Sequence, residues 1–105
     1  MTLNDLAQRL RTNAVNKGFW ENDRNFGEML ALIHSEVSEA LEEHRPEKPA
    51  IYINANGKPE GWQVELVDAL IRILDTLGPD VDIDGLIAMK MSYNESRPYK
   101  HGKAY

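Results

Sequence analysis

The chain has 105 residues, enough for one domain around one hydrophobic core, and its 17 acidic and 12 basic side chains give a net charge of −5. Because it contains no cysteine, disulfides and thiolate sites are excluded, and the acidic balance argues against a general nucleic-acid binder. It has neither a run of 18 apolar residues nor a basic-then-apolar leader, so we predict a single cytoplasmic domain over residues 1–105 that does not enter a membrane.

The first two helices are predicted from capping residues and apolar periodicity. The first helix begins after Thr2, which forms a capping pair with Asp5, and its pattern stops at Gly18. The second begins after Asn25 and runs to Arg45, before two prolines. Its apolar residues keep the helical period and are Phe26, Met29, Leu30, Ile33, Val37, Ala40 and Leu41.

A long loop and two further helices complete the prediction. Residues 46–61 contain three prolines and two glycines, with only 51–53 resembling a strand, and loops of this length are usually functional or mobile. The third helix spans Trp62 to Leu77 and stops at a Gly-Pro pair, and the fourth follows Asp82 and runs to Arg97. The sequence therefore predicts an all-α four-helix bundle with one long loop between helices 2 and 3.

The third helix carries its charged residues on one narrow strip. At about 100° per residue, this strip contains Glu65, Asp68, Arg72 and Asp75, and the remaining circumference is apolar. A helix that is apolar over most of its surface is typical of a central position. The strip could simply face water, which is the common arrangement, or it could line a site.

The second helix carries acids at a matching spacing. Glu36 and Glu39 are three residues apart, as are Glu65 and Asp68, so each pair shares one helix face. If the two helices pack antiparallel with these pairs opposed, four carboxylates meet, with Arg72 as the only nearby cation. Ligation by carboxylates alone favours Mg²⁺ or Mn²⁺, whereas a di-iron bundle would need Glu-x-x-His pairs. We therefore predict a divalent-ion site at these four acids.

Positive charge is concentrated near the C-terminus. Residues 36–84 contain twelve acids and four bases, whereas residues 85–105 contain one acid and four bases. The polar residues on one side of the fourth helix could extend along its apolar surface to water at the helix end, or they could bind phosphate oxygens. In the basic tail 98–105, the segment from Pro98 to Lys103 would act as a lid on the phosphate side, or it would have no role. The phosphate-binding candidates are Lys90, Asn94, Arg97, Lys100 and Lys103.

Together these motifs resemble a known family. The segment EVSEALEE and the later VELVDALIRILD resemble the ExxE and ExxD pair of the MazG-like all-α nucleoside triphosphate pyrophosphohydrolases. The resemblance continues through KMSYNESRPYKHGK and covers residues 26 to 103, most similar to the small single-domain members of bacteria and phages.

The resemblance implies Mg²⁺-dependent hydrolysis of an NTP or dNTP to its monophosphate and pyrophosphate, with a role in nucleotide-pool housekeeping. Glu36, Glu39, Glu65 and Asp68 would hold Mg²⁺, with Mn²⁺ as the alternative, and Glu39 would be the general base. The fourth-helix residues would grip the phosphates, and the chain would form a homodimer or homotetramer. The nucleobase-pocket candidates are Asn16, Trp20, Phe26 and Trp62, although a tryptophan in a domain of this size is more often a core residue.

Two alternatives stay open at this point. The chain could be a non-enzymatic helical module whose acidic strip docks a basic protein, in which case it would need no metal. It could also be a related pyrophosphohydrolase that is inactive or acts on another pyrophosphate, such as the phosphoribosyl-ATP enzyme of histidine synthesis. Stabilisation by millimolar Mg²⁺ separates a metal site from a docking face.

Overall fold

Four helices and one short hairpin make up the computed structural model, which describes residues 1–99. Their bounds are α1 Leu3–Asn16, α2 Phe26–Glu43, β1 Tyr52–Ile53, β2 Pro59–Glu60, α3 Trp62–Leu77 and α4 Ile83–Ser96. The predicted all-α class is confirmed, since the only strands among the described residues are two of two residues each.

Local capping explains where the helices begin. Thr2 Oγ1 accepts a 3.0 Å hydrogen bond from the Asp5 N–H, and the Asp5 carboxylate accepts one of 3.2 Å from the Thr2 N–H, which completes a capping box. Asn25 caps α2 through the Glu28 N–H, and Asp82 caps α4 in the same way. At its C-terminal end α3 stops at Gly78, whose positive φ of 77° suits glycine. The predicted helix ends are therefore correct to within about two residues.

The loop between α2 and α3 contains a two-stranded antiparallel hairpin, of which the sequence predicted only the first strand. Tyr52 lies opposite Glu60, and Ile53 lies opposite Pro59. The hairpin joins α3 through Gly61, whose φ is +113°. A Cβ atom at this position would collide with the Ala50 carbonyl oxygen. Both the positive φ and this close approach therefore require glycine.

Helices α2 and α3 form an antiparallel pair. Glu36 is joined to Arg72 and, further along α2, Glu39 lies next to Glu65, so the chain directions are opposite. Helix α1 lies against α3, and a small core joins α1, α3 and the start of α4 through Ala7, Leu74 and Ile83. Beyond Asp84, every residue of α4 up to its last, Ser96, is exposed.

The packing of α3 is the reverse of the usual amphipathic arrangement. The charged strip faces inward, with Glu65 only 8% exposed, whereas apolar side chains on the opposite side are 37–51% exposed. These outward residues are Leu66, Val67, Leu70, Ile73 and Leu77. The radius of gyration is 16.7 Å, above the ~13 Å of a compact domain of this length, in keeping with the exposed α4. Within residues 1–99, no helix combines the length and apolar content needed to cross a bilayer.

Candidate metal centre

Acidic side chains from α2 and α3 meet where these helices face each other. One carboxylate oxygen from each of Glu36, Glu65 and Asp68 lies within 4.8 Å of the other two. Glu39 lies next to Glu65, close enough to help raise the pKa of Glu65 through its charge and through hydrogen bonding. Because the helices are antiparallel, the i, i+3 pair of one helix is opposed to that of the other, as the spacing predicts. Three of the four predicted acids thus converge, with Glu39 next to Glu65 but outside the set of three, and ion binding stays a prediction.

The electrostatics of the cluster are those of crowded carboxylates. Burial raises the pKa of Glu65 to about 7, together with the hydrogen bond to Glu39 and the charges of its neighbours. Burial and Glu36 also raise the pKa of Asp68, and Lys58 and Arg72 oppose that rise. The cluster therefore lacks positive charge, and a divalent cation would supply it.

Arg72 is the cation in direct contact with the cluster. Its Nε donates a 2.8 Å hydrogen bond to Glu36 Oε1, and the Glu36 side chain is 12% exposed. The second Glu36 oxygen is outside this bond. The sequence interpretation that Arg72 is the only nearby cation was wrong, because Arg24 lines the same cavity as Glu36 and Asp68.

A cavity of about 340 Å³ opens beside the acids, between α1, α3 and the segment that precedes α2. This volume is at the lower end of the range for small-molecule sites. Its walls combine charged and apolar side chains, namely Leu10, Asn13, Ala14, Phe19, Arg24, Glu36, Asp68, Ile71, Arg72 and Asp75. Glu36 and Asp68 thus belong both to the carboxylate cluster and to the cavity wall.

The far wall of the cavity is fixed by a network around Asp75. Arg11 donates to the Asp75 carboxylate at 2.8 Å and to its carbonyl oxygen at 2.6 Å. Trp20 Nε1 donates to the same carboxylate at 3.2 Å, and the Arg11 guanidinium lies 3.8 Å from the centre of the Trp20 ring. Arg24 also lies over this ring, at 4.8 Å. The network ties the α1–α2 connection to α3 and positions Arg24 in the cavity.

The predicted nucleobase residues are dispersed. Trp20 is held by the Asp75 network, and Trp62 packs edge-on against His44 at 5.4 Å. Phe26 is 61% exposed at the start of α2, and Asn16 is exposed at the end of α1. None of the four lines the cavity within residues 1–99. Phe19, beside Trp20, lines it instead.

Of the predicted phosphate-binding residues, Lys90 and Asn94 lie on the exposed part of α4, and Arg97 follows the helix as its half-buried C-cap. Lys90 and Arg97 are positioned over the Tyr93 ring, at 5.1 and 5.5 Å, and Asn94 is exposed. Among the described residues, α4 contributes nothing to the cavity wall. Lys100 and Lys103 lie outside the described residues.

Sequence reasoning missed three residues of the cavity, Asn13, Phe19 and Arg24. Asn13 precedes Asn16 by one helical turn, so the choice between them depended on which face of α1 meets α3. Phe19 and Arg24 lie in a connection without periodicity, and only the tertiary structure brings them to the acids.

Comparisons of this chain with models of protein families, with curated proteins and with solved structures found no match.

Proposed function

We propose that this protein is a divalent-cation-dependent nucleoside triphosphate pyrophosphohydrolase. The observation that carries the proposal is the convergence of Glu36, Glu65 and Asp68, with Glu39 next to Glu65, at the edge of a ligand-sized cavity. Water would attack between the α and β phosphates, giving a nucleoside monophosphate and pyrophosphate. The resemblance of the two acidic motifs to MazG-like proteins supplies the reaction class.

The donor set fits Mg²⁺ or Mn²⁺. Oxygens bound to one octahedral Mg²⁺ lie about 3.0 Å apart when adjacent and about 4.2 Å apart when opposite, given the ~2.1 Å metal–oxygen distance, so three oxygens within 4.8 Å of one another would have to draw closer around the ion. Oxygen donors without nitrogen or sulfur favour such hard cations. Glu36, Glu65 and Asp68 would hold the ion, with Glu39 next to them. Once bound, the ion neutralises phosphate charge and lowers the pKa of a coordinated water.

The chain's own residues have separate tasks in this proposal. Glu39 is exposed and lies outside the set of three converging ligands, so its carboxylate can take the proton of the attacking water. Arg72 holds Glu36 in place. Phe19 and Asn13 line the cavity beside the acids, where an aromatic face can stack on a base and an amide can hydrogen-bond its edge. We therefore place the nucleoside in this cavity.

The predicted four-helix bundle would be completed by a second copy of the chain. The outward apolar side chains of α3 are of the kind that interfaces bury, and α2 exposes a similar stripe. In a homodimer, or in a homotetramer built from two such dimers, the exposed α4 would supply Lys90, Asn94 and Arg97 to the phosphates.

The alternative of an acidic docking module receives less support. A docking face presents its charges to solvent, whereas the Glu36 side chain is 12% exposed and Glu65 is 8% exposed. Partly buried, clustered carboxylates are costly without a counter-charge, which favours a bound cation over a solvated docking face.

The test is a pyrophosphate-release assay over canonical and modified NTPs and dNTPs with Mg²⁺. We expect monophosphate and pyrophosphate from at least one substrate. Glu65→Gln should abolish the release, and Glu42→Gln, on the exposed side of α2, should not change it. Release of a diphosphate and orthophosphate as first products would contradict the proposed reaction.

A further inference from the structure

Arg24 lies in the cavity wall with its guanidinium turned to no hydrogen-bond acceptor within residues 1–99. Its side chain is only 22% exposed and lines the same cavity as Glu36 and Asp68. The carboxylate that it approaches is that of Asp75, where Arg24 Nη1 and Asp75 Oδ2 are 4.0 Å apart. This distance is too long for a hydrogen bond. The N–H donors of a largely buried guanidinium are therefore available to a ligand in the cavity.

The Asp75 carboxylate already receives other donors. Its Oδ1 accepts from Arg11 Nε at 2.8 Å, and its Oδ2 accepts from Trp20 Nε1 at 3.2 Å. One carboxylate thus faces two guanidinium groups, which leaves a surplus of positive charge beside the cavity. The Trp20 ring contacts both groups, at 3.8 Å from Arg11 and 4.8 Å from Arg24. Arg24 is therefore held in place by stacking and by charge, without using its hydrogen-bond donors.

Arg24 is also a neighbour of the carboxylate cluster. A recess of about 20 Å³ is lined by Arg24, Arg72 and Asp75 together, and so small a space requires its lining side chains to lie close to one another. Arg72 in turn donates to Glu36 at 2.8 Å. The contacts therefore run without a break from Arg24 to the acids that would hold the ion.

The charges of the cavity wall favour an anionic ligand once an ion is bound. Within the described part of the chain, the ionisable wall residues are three acids, Glu36, Asp68 and Asp75, and two arginines, Arg24 and Arg72. A divalent cation at the acids would make this wall net positive. Phosphate oxygens can use that charge, and an arginine binds two of them at once through its planar fork.

We propose that Arg24 binds the phosphate chain of the substrate in this cavity. Its guanidinium would donate to two non-bridging oxygens of a phosphate whose chain is also bound by the ion at Glu36 and Asp68. The inference rests on the proposed function for the identity of the ligand as a nucleotide. Its chemistry requires only a metal-bound polyphosphate.

The experiment measures two affinities by calorimetry, that of Mn²⁺ alone and that of imidodiphosphate in saturating Mn²⁺. Imidodiphosphate is a pyrophosphate analogue that resists hydrolysis and carries no base, so it tests the phosphate contact alone. Arg24→Ala should weaken imidodiphosphate binding about tenfold or more, the usual effect of losing charge-assisted hydrogen bonds. Mn²⁺ affinity should stay as in the wild type.

A second variant separates binding from packing against Trp20. Arg24→Gln keeps much of the side chain over the ring but removes the charge and the fork, so it should weaken imidodiphosphate binding to a similar extent. Lys17→Ala is the matched control, since Lys17 is an exposed cation in the same α1–α2 connection and lies outside the cavity wall. This control should bind imidodiphosphate as the wild type does.

The inference is overturned if Arg24→Gln binds imidodiphosphate normally, which would include the case in which Arg24 contacts the base instead. It is also overturned if the Arg24 variants lose Mn²⁺ to the same extent, because that would indicate a structural role. If no nucleotide yields pyrophosphate but imidodiphosphate binding depends on Arg24, the proposed function fails and this inference stands. If pyrophosphate is released and imidodiphosphate binding is independent of Arg24, the proposed function stands and this inference fails.

Discussion

Arg72 and Glu36 join α3 to α2 by a 2.8 Å hydrogen bond at the carboxylate cluster. The Glu36 side chain is largely buried and the Arg72 side chain is 40% exposed, so the arginine reaches inward from the rim. This pair partly offsets the repulsion among the acids when no metal is bound. In the metal-free protein, the guanidinium therefore supplies part of the positive charge that a bound divalent ion would supply.

Arg72→Ala should destabilise the metal-free protein by about 1–3 kcal/mol, because it leaves the Glu36 carboxylate in the cluster without its partner. Millimolar Mg²⁺ should recover much of this loss, since the ion compensates the same charge. Thermal unfolding with and without Mg²⁺ measures both effects. Arg9→Ala, on the exposed side of α1, is the control and should have no effect. A loss that Mg²⁺ does not reduce would argue against the ion site.

Glu65 makes the stability of the metal-free protein depend on pH. Its folded-state pKa of about 7 lies above its ordinary value of 4.5, so between these values the folded protein retains a proton that the unfolded chain has released. The resulting stability is fully present below about pH 4.5 and is lost as the pH rises through 7. We expect this contribution to fall by on the order of 2 kcal/mol between pH 5 and pH 8.

Glu65→Gln should remove that dependence and make the metal-free protein more stable at pH 8, while abolishing stabilisation by Mg²⁺. Urea unfolding at pH 5 and pH 8 provides the measurement, and Glu42→Gln should behave as the wild type does. Identical pH profiles for Glu65→Gln and the wild type would show that Glu65 ionises normally.

The parts of the fold that depend on local chemistry were predictable. Thr2, Asn25 and Asp82 cap their helices with their own side chains, and Gly78 ends α3, so the boundaries follow from short segments. The opposition of the acid pairs followed from i, i+3 spacing once an antiparallel arrangement was assumed.

The parts that depend on which faces meet were not predictable. Periodicity shows that α3 has a charged strip and an apolar side, but not that Glu65 turns inward while Leu70 remains 47% exposed. A strand of two residues such as Pro59–Glu60 leaves no periodic signal. The contact between Tyr52 and Glu43 depends on the hairpin folding back onto α2, which no local pattern encodes.

The start of α4 is held to α1 by a reciprocal cap, which predicts a specific loss of stability. The Asp84 carboxylate accepts from the Leu3 and Asn4 N–H groups at 3.0 and 3.1 Å, and the Asn4 side-chain oxygen accepts from the Ile83 N–H at 2.7 Å. Asp84→Ala should cost about 1–3 kcal/mol, because two N–H groups at a helix N-terminus lose their acceptor. Urea unfolding measures the cost, and Asp80→Ala, an exposed neighbour, should be neutral.

Amide hydrogen exchange then separates the cap from general destabilisation. In Asp84→Ala the amides of Leu3 and Asn4 should exchange faster, with little change in the middle of α3. Uniform acceleration throughout the chain would indicate that the cap is part of the global unfolding unit instead.

The exposed apolar side of α3 predicts self-association. Leu66, Leu70, Ile73 and Leu77 follow one another at helical spacing, each 37–47% exposed, and one chain offers nothing in the described residues that covers them fully. Burying such a stripe against a second copy would remove it from water at about 25 cal/mol per Å². Light scattering at micromolar concentration should therefore give a mass of at least twice the 12.0 kDa of the chain.

Leu70→Asp should return the protein to monomers, because a carboxylate at the centre of an apolar interface loses its hydration without gaining a partner. The control is Ile51→Asp, which also places a charge on an exposed apolar residue but lies in the α2–α3 connection, and it should remain oligomeric. Since the phosphate-binding role proposed for α4 requires the second copy, Leu70→Asp should also raise the KM for the triphosphate while leaving Mn²⁺ binding to the acids intact. A wild-type mass near 12.0 kDa, or an oligomer that survives Leu70→Asp, would refute this interface.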